Sequence, residues 1–92
     1  MNETNINLNW CNHISNIMCV LDIKDICICP GSRSTPLAIA FTNNPSFKCT
    51  SHIDERSASF FALGISKKNN IPSIIISTSG TAVANFFPAI IE

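Results

Sequence analysis

The feature that most constrains this chain is a pattern that occurs three times. A short apolar segment runs into a loop of small, polar or charged residues, and a helical pattern follows. Asp25-Ile26-Cys27-Ile28-Cys29 leads into Pro30-Gly31-Ser32-Arg33-Ser34-Thr35-Pro36. Phe47-Lys48-Cys49-Thr50-Ser51, the weakest of the three, leads into His52-Ile53-Asp54-Glu55-Arg56. Ser73-Ile74-Ile75-Ile76-Ser77, a β-branched run after Pro72, leads into Thr78-Ser79-Gly80-Thr81. Short runs of this kind, bounded by turn residues, read as strands. Strands that alternate with helices predict an α/β fold, with a parallel sheet and helices on both faces in three αβα layers. The three loops then leave from the carboxyl ends of their strands, where open α/β sheets place their ligands.

The helices follow from periodicity and punctuation. Trp10, Ile14, Ile17, Met18 and Leu21 make one helical face over residues 8–21. Pro36 suits a first helical turn, and residues 37–42 give a short helix. Asp54 is the expected N-cap of a helix reaching about residue 68, with Lys67 and Lys68 in its last turn and Asn69-Asn70 to close it. A last helix is expected from about Thr81, kinked or divided by Pro88.

With 92 residues the chain is one domain at most. Charged residues make up 13% of it, about half the ~25% of an ordinary soluble domain, which predicts that much of its surface faces other protein. Net charge is zero and there is no basic patch, so nucleic acid is not an expected partner. No apolar run approaches the about 20 residues of a membrane span. Met1-Asn2-Glu3-Thr4-Asn5 lacks the basic and apolar regions of a signal peptide. The five cysteines are odd in number and form no C-x-x-C pair, which predicts reduced, structural thiols in a cytoplasmic protein rather than a disulfide frame or metal site. Cys27 and Cys29 share a strand face and read as small buried hydrophobes. No Gly, Asn or basic residue closes the helix at Ala89-Ile90-Ile91-Glu92, and three parallel strands leave open edges. Both features predict a chain cut inside a larger domain; the alternative is a small domain with a frayed end.

Each loop allows two readings. In the first, the hydroxyls of Ser32, Ser34 and Thr35 and the fork of Arg33 converge on a carboxylate or phosphate at a helix N-terminus; otherwise the loop is a turn and cap with a solvated arginine. Glu55 either complements a helix dipole or, if enclosed by apolar groups, shares a proton with a ring nitrogen. Thr78-Ser79-Gly80-Thr81 either brings backbone close to a ligand or serves tight strand–helix packing. Ser79 lacks the G-x-S-x-G context of a nucleophile elbow, which argues against a serine hydrolase.

Taken together and in this order, the loops resemble the start of a thiamine diphosphate enzyme. More narrowly, residues 26–37 (ICICPGSRSTPL), 52–56 (HIDER) and 78–85 (TSGTAVAN) are similar to the 2-succinyl-5-enolpyruvyl-6-hydroxy-3-cyclohexene-1-carboxylate synthase family of menaquinone biosynthesis. The resemblance covers the chain from about Trp10 to Glu92. It implies that 2-oxoglutarate is decarboxylated with thiamine diphosphate and that the succinyl semialdehyde unit is added to isochorismate. It also implies that residues 1–92 are the N-terminal part of the pyrimidine-binding domain, truncated at Glu92. By the same resemblance, Glu55 matches the glutamate that bonds the aminopyrimidine ring. Ser32 and Arg33 match residues that contact the acidic substrate. Ser79, Gly80 and Thr81 are expected near the pyrimidine ring. The diphosphate and its divalent ion, magnesium or manganese, are expected in a later domain. The site is expected to be completed by a second subunit of a homodimer or larger assembly. The chain alone is then expected to be inactive, as a fragment or a decayed remnant. The alternative is a non-catalytic α/β interaction or anion-binding module in which Glu55 only caps a helix.

Overall fold

The computed structural model describes residues 3–92, with side chains from Ile6 onward. Met1 and Asn2, part of the stretch read above for a signal peptide, lie outside the described residues. The elements in order are α1 (Glu3–Val20), β1 (Asp25–Ile28), α2 (Thr35–Thr42), β2 (Lys48–Ser51), α3 (Glu55–Asn69), β3 (Ile74–Ile76) and α4 (Phe87–Ile91). The three strands form one parallel sheet in the order β2-β1-β3.

Side chains alternate across the pleat, and β1 with the following Cys29 supplies both cores. Ile26 and Ile28 point to the face covered by α1 and α2, where they pack with Phe41, Phe47 and Ile76. Phe41 and Phe47 meet edge to face, with ring centroids 4.9 Å apart. Cys29 lies on the opposite side and packs with Ala58 and Phe86, under α3 and the segment before α4. The chain thus has the three-layer αβα architecture expected from its alternation. All five cysteines are free thiols. Burial pushes the thiols of Cys27 and Cys29 up from their ordinary range, as befits small apolar core residues.

Two helices depart from expectation. The apolar stripe of α1 does not face the core. Trp10, Ile17 and the following Leu21 are exposed, and of that stripe only Met18 packs inward. The inward positions are Cys11, Ser15, Met18 and Cys19, a face of smaller residues against which α2 packs. Ser15 satisfies its buried hydroxyl by donating to the Asn12 carbonyl at 2.9 Å. The last helix is divided at Pro88 as expected, but its first part is not α-helical. Residues Gly80–Phe86 form a 3-10 helix, and α-helix begins only at Phe87. Pro88 explains the break: it has no N–H to give a preceding turn, but it suits the first turn of a new helix, where it sits.

The ends of α3 follow the expected chemistry. The Asp54 side chain accepts from the Ser57 backbone N–H at 2.9 Å and from its hydroxyl at 2.7 Å. Asn70 closes the helix in the left-handed conformation, φ 58°. Among the described residues no helix is long and apolar enough to cross a membrane.

The cap has a consequence for acid stability. Its two bonds from Ser57 hold the Asp54 carboxyl below its ordinary value of 3.8. A depressed folded-state value means that the carboxylate's contribution is fully present above the unfolded value and is lost as pH falls through the folded one. Asn caps about as well as Asp but does not titrate. The melting-temperature difference between the parent protein and Asp54→Asn should therefore be constant from neutral pH to about 5 and should change only below about 4, in the direction that removes the parent's advantage.

Candidate functional site

Parallel pairing brings the three loops to one edge. The ladder continues one rung beyond the strands on each side of β1: Cys29 N–H donates to the Ile76 carbonyl, and His52 N–H to the Ile28 carbonyl, both at 2.8 Å. The loop after β1 therefore lies between the other two. The order β2-β1-β3 also reverses the direction of winding at β1, which makes this edge a topological switch point.

The central loop is shaped by contact with its neighbour. A Cβ on Gly31 would lie 2.6 Å from Thr78 Cβ. The φ of Gly31 is 179°, extended backbone open to any residue, so the glycine is required by space rather than by conformation. Its carbonyl gathers three donors: Ser34 N–H at 3.1 Å, Ser34 Oγ at 2.9 Å and Thr35 Oγ1 at 3.3 Å. Of the two readings of this loop, the hydroxyls of Ser34 and Thr35 follow the turn rather than the anion site. Ser34 is buried, and its hydroxyl and that of Thr35 serve the loop's own backbone. A 3-10 turn has the two functional candidates, Ser32 and Arg33, on its exposed side. Arg33 makes no ion pair among the described residues, where Lys24–Asp22 is the pair observed.

In the third loop the glycine is required for a different reason. Gly80 has φ +78°, a left-handed conformation, and open space where a Cβ would stand. It is exposed together with Ser79 and Thr81.

Glu55 is the first residue of α3 and is half-buried. Asp54 performs the capping, so Glu55 is not the cap. Among the described residues its carboxylate has no hydrogen-bond or ion-pair partner. Its charge reaches the end of β1: after burial itself, the Glu55 carboxylate is the largest influence raising the Cys29 thiol. His52, three residues earlier, has its Nε2 2.9 Å from Thr50 Oγ1 and its ring 4.9 Å from that of Phe61. Thr50 and Phe61 were not singled out by sequence reasoning, and Thr78 was read as part of its own loop and not as a neighbour of Gly31. Thr50 and His52 had a usable signal, since a spacing of two places both on one strand face. The contacts of Phe61 and Thr78 are long-range and have no local signal.

A groove of about 340 Å³ opens beside the central loop, lined by Pro30, Gly31, Thr35, Ile39, Cys49 and Ser51 among others. Its lining does not include Ser32, Arg33 or Glu55, which stand on the loop edge. Among the described residues no group of three or more His, Cys, Asp or Glu side chains is arranged to hold a metal ion.

Comparison with known proteins agrees with this geometry. The family described as thiamine pyrophosphate enzyme, N-terminal TPP binding domain, matches residues 9–92. Curated relatives named 2-succinyl-5-enolpyruvyl-6-hydroxy-3-cyclohexene-1-carboxylate synthase are similar over nearly the whole chain. The protein of Gloeothece citriformis is 51% identical over 88 residues, 96% of this chain and 15% of the relative. That of Chloroflexus aurantiacus is 48% identical over 84 residues, 91% of this chain and 14% of the relative. That of Haloarcula marismortui is 44% identical over 92 residues, the whole of this chain and 16% of the relative. The chain therefore spans about one-sixth or less of the length of these relatives.

The Gly31–Thr78 contact is open to test by a double-mutant cycle. Gly31→Ala should cost about 1–3 kcal/mol by overpacking, read from urea denaturation. Thr78→Gly, which removes the atom that the new methyl would meet, should restore part of that loss in the double variant. Losses that simply add would mean that the two loops do not press on each other.

Proposed function

The chain belongs to the thiamine pyrophosphate enzymes, through their N-terminal TPP binding domain, and from that premise we propose that it is the N-terminal part of a thiamine diphosphate-dependent synthase. The product proposed is the one its relatives are named for, and the reaction proposed to form it is decarboxylation of 2-oxoglutarate and transfer of the succinyl semialdehyde unit to isochorismate, in menaquinone biosynthesis. The single observation that carries the reading is Glu55, a half-buried carboxylate with no partner among the described residues, at the strand-end edge of the sheet. Asp54 fills the capping role, and a first-turn carboxylate can complement the helix dipole without spending its oxygens on hydrogen bonds, so Glu55 keeps them for a ligand.

The residues present fit the pyrimidine end of the cofactor. Glu55 offers an acceptor of the kind that holds a proton at a ring nitrogen. Gly80 turns its backbone in a conformation that leaves open space above it, and Ser79 and Thr81 flank it. Thiamine diphosphate, when bound, supplies the carbon nucleophile and electron sink that the decarboxylation requires. The task proposed for Glu55 is to hold a proton on the aminopyrimidine ring and so favour its imino form. Arg33, with Ser32 beside it, suits the carboxylates that both substrates carry, because its guanidinium can bind them in a bidentate fashion.

The diphosphate and a divalent ion, magnesium or manganese, are assigned to a later domain. A second subunit is proposed to complete the site, and the protein is proposed to work in the cytoplasm. These parts rest on the family's organisation. On this reading the 92-residue chain is inactive by itself.

Glu55→Gln in the longer protein tests the central role. It keeps the size and a hydrogen bond but cannot accept the proton. The expected loss in kcat is roughly 10²–10⁴-fold, with thiamine diphosphate still bound in calorimetry. Near-normal turnover would remove Glu55 from cofactor activation.

A further inference from the structure

Glu55 can do this work only if its carboxylate is held in one direction, and the turn that carries it is fastened by a side chain with no role so far. Thr50 and His52 leave the end of β2 on the same face, the one on which the buried Cys27 lies level with Thr50. Thr50 Oγ1 donates to Cys27 Sγ at 3.7 Å and lies 2.9 Å from His52 Nε2. Whichever of Oγ1 and Nε2 carries the proton, the bond ties the imidazole to the end of β2. The other side of the ring meets Phe61, on the second turn of α3, with an interplanar angle of 52°. The backbone N–H of His52 is bonded to Ile28. His52 is therefore tied to the sheet by backbone and side chain, and to the helix by its ring.

The rest of the turn is short. Ile53 is 97% exposed and packs on nothing. Asp54 is spent on the cap. No other side chain of the turn joins sheet to helix, and Glu55 follows directly.

We infer that His52, fastened between Thr50 and Phe61, is a positioning residue for Glu55: it sets where the first turn of α3 stands against the end of the sheet. The inference rests on the role proposed for Glu55. His52 acts through α3 and needs no contact with cofactor or substrate. A reacting group displaced by about 1 Å can lose roughly 10²-fold in rate, so a tie of this kind matters more to turnover than to folding.

Two variants cut the tie in different places. Thr50→Val removes the hydroxyl and keeps the shape. His52→Phe keeps a ring against Phe61 and removes Nε2. Both are made in the longer protein. The first readout needs no cofactor: amide hydrogen exchange in residues 52–57, which should become about tenfold faster in either variant, with α2 and the melting temperature unchanged. The second is kinetic: kcat should fall roughly ten- to a hundredfold, with KM for 2-oxoglutarate changed less than twofold. The double variant should be no worse than the worse single one, because both sever the same link. Faster exchange through the whole sheet with a lowered melting temperature would overturn the inference, since His52 would then serve stability alone. Unchanged local exchange and turnover, beside a disabled Glu55→Gln, would also overturn it and leave the role of Glu55 standing. Near-normal turnover in Glu55→Gln would overturn that role and this one with it.

Discussion

Everything at the loop edge depends on β1 being paired on both sides. Its residues pair with β2 on one side and β3 on the other, and together with the following Cys29 they supply side chains to both cores. An all-parallel sheet requires this, because its faces are covered by the connecting helices and its central strand has no solvent side. Ile26 and Ile28 fill one core and the smaller Cys27 and Cys29 face the other way, so a slip of one residue would put large side chains where small ones fit. Register in turn decides which loop residues come level. Cys29 meets Ile76 and His52 meets Ile28, so the loops carrying Arg33, Glu55 and Gly80 start from one line across the sheet.

Local chemistry makes part of this legible in the sequence. The β-branched run Ile74–Ile76, the cap at Asp54 and the left-handed closure at Asn70 are decided by residues within a few positions of each other. The alternation of strands and helices, which sets the fold class, is the sum of such local signals. Which of two possible faces a helix buries is not a local matter. In α1 the larger apolar stripe lost to a smaller-residue face, because the outcome is set by what α2 and the sheet offer opposite it. Hydroxyl direction is equally hidden. Ser34 and Thr35 share the composition of an anion-binding loop, yet both turn to the Gly31 carbonyl once that loop is closed against Thr78. Gly31 and Gly80 look alike in sequence, but one yields space and the other yields a backbone angle.

The surface carries the same message as the composition. Trp10 and Leu21 on one side, and Phe87, Ile90 and Ile91 on the other, are all more than half exposed. With 13% charged residues the chain cannot ring such side chains with ions, as a free-standing surface generally does. Among the described residues β2 and β3 also keep one unpaired edge each. Both observations suit a chain that packs against further protein, as the proposed place in a longer, multi-subunit enzyme requires.

The adjacent carboxylates Asp54 and Glu55 show why the second is the better candidate for chemistry. An N-cap side chain must fold back over the helix end, and its oxygens are consumed by amides of the first turn. Asp54 does this, and the bonds keep it ionised. The first helical residue has its backbone fixed by the helix while its side chain remains outside the cap's hydrogen bonds. It also lies in the positive field of the helix N-terminus, which favours an anion there. Glu55 thus has a held backbone and an uncommitted carboxylate. Exchanging the two roles would fail on both counts: a catalytic group at the cap would have spent its lone pairs, and a cap one residue later would leave the helix end open.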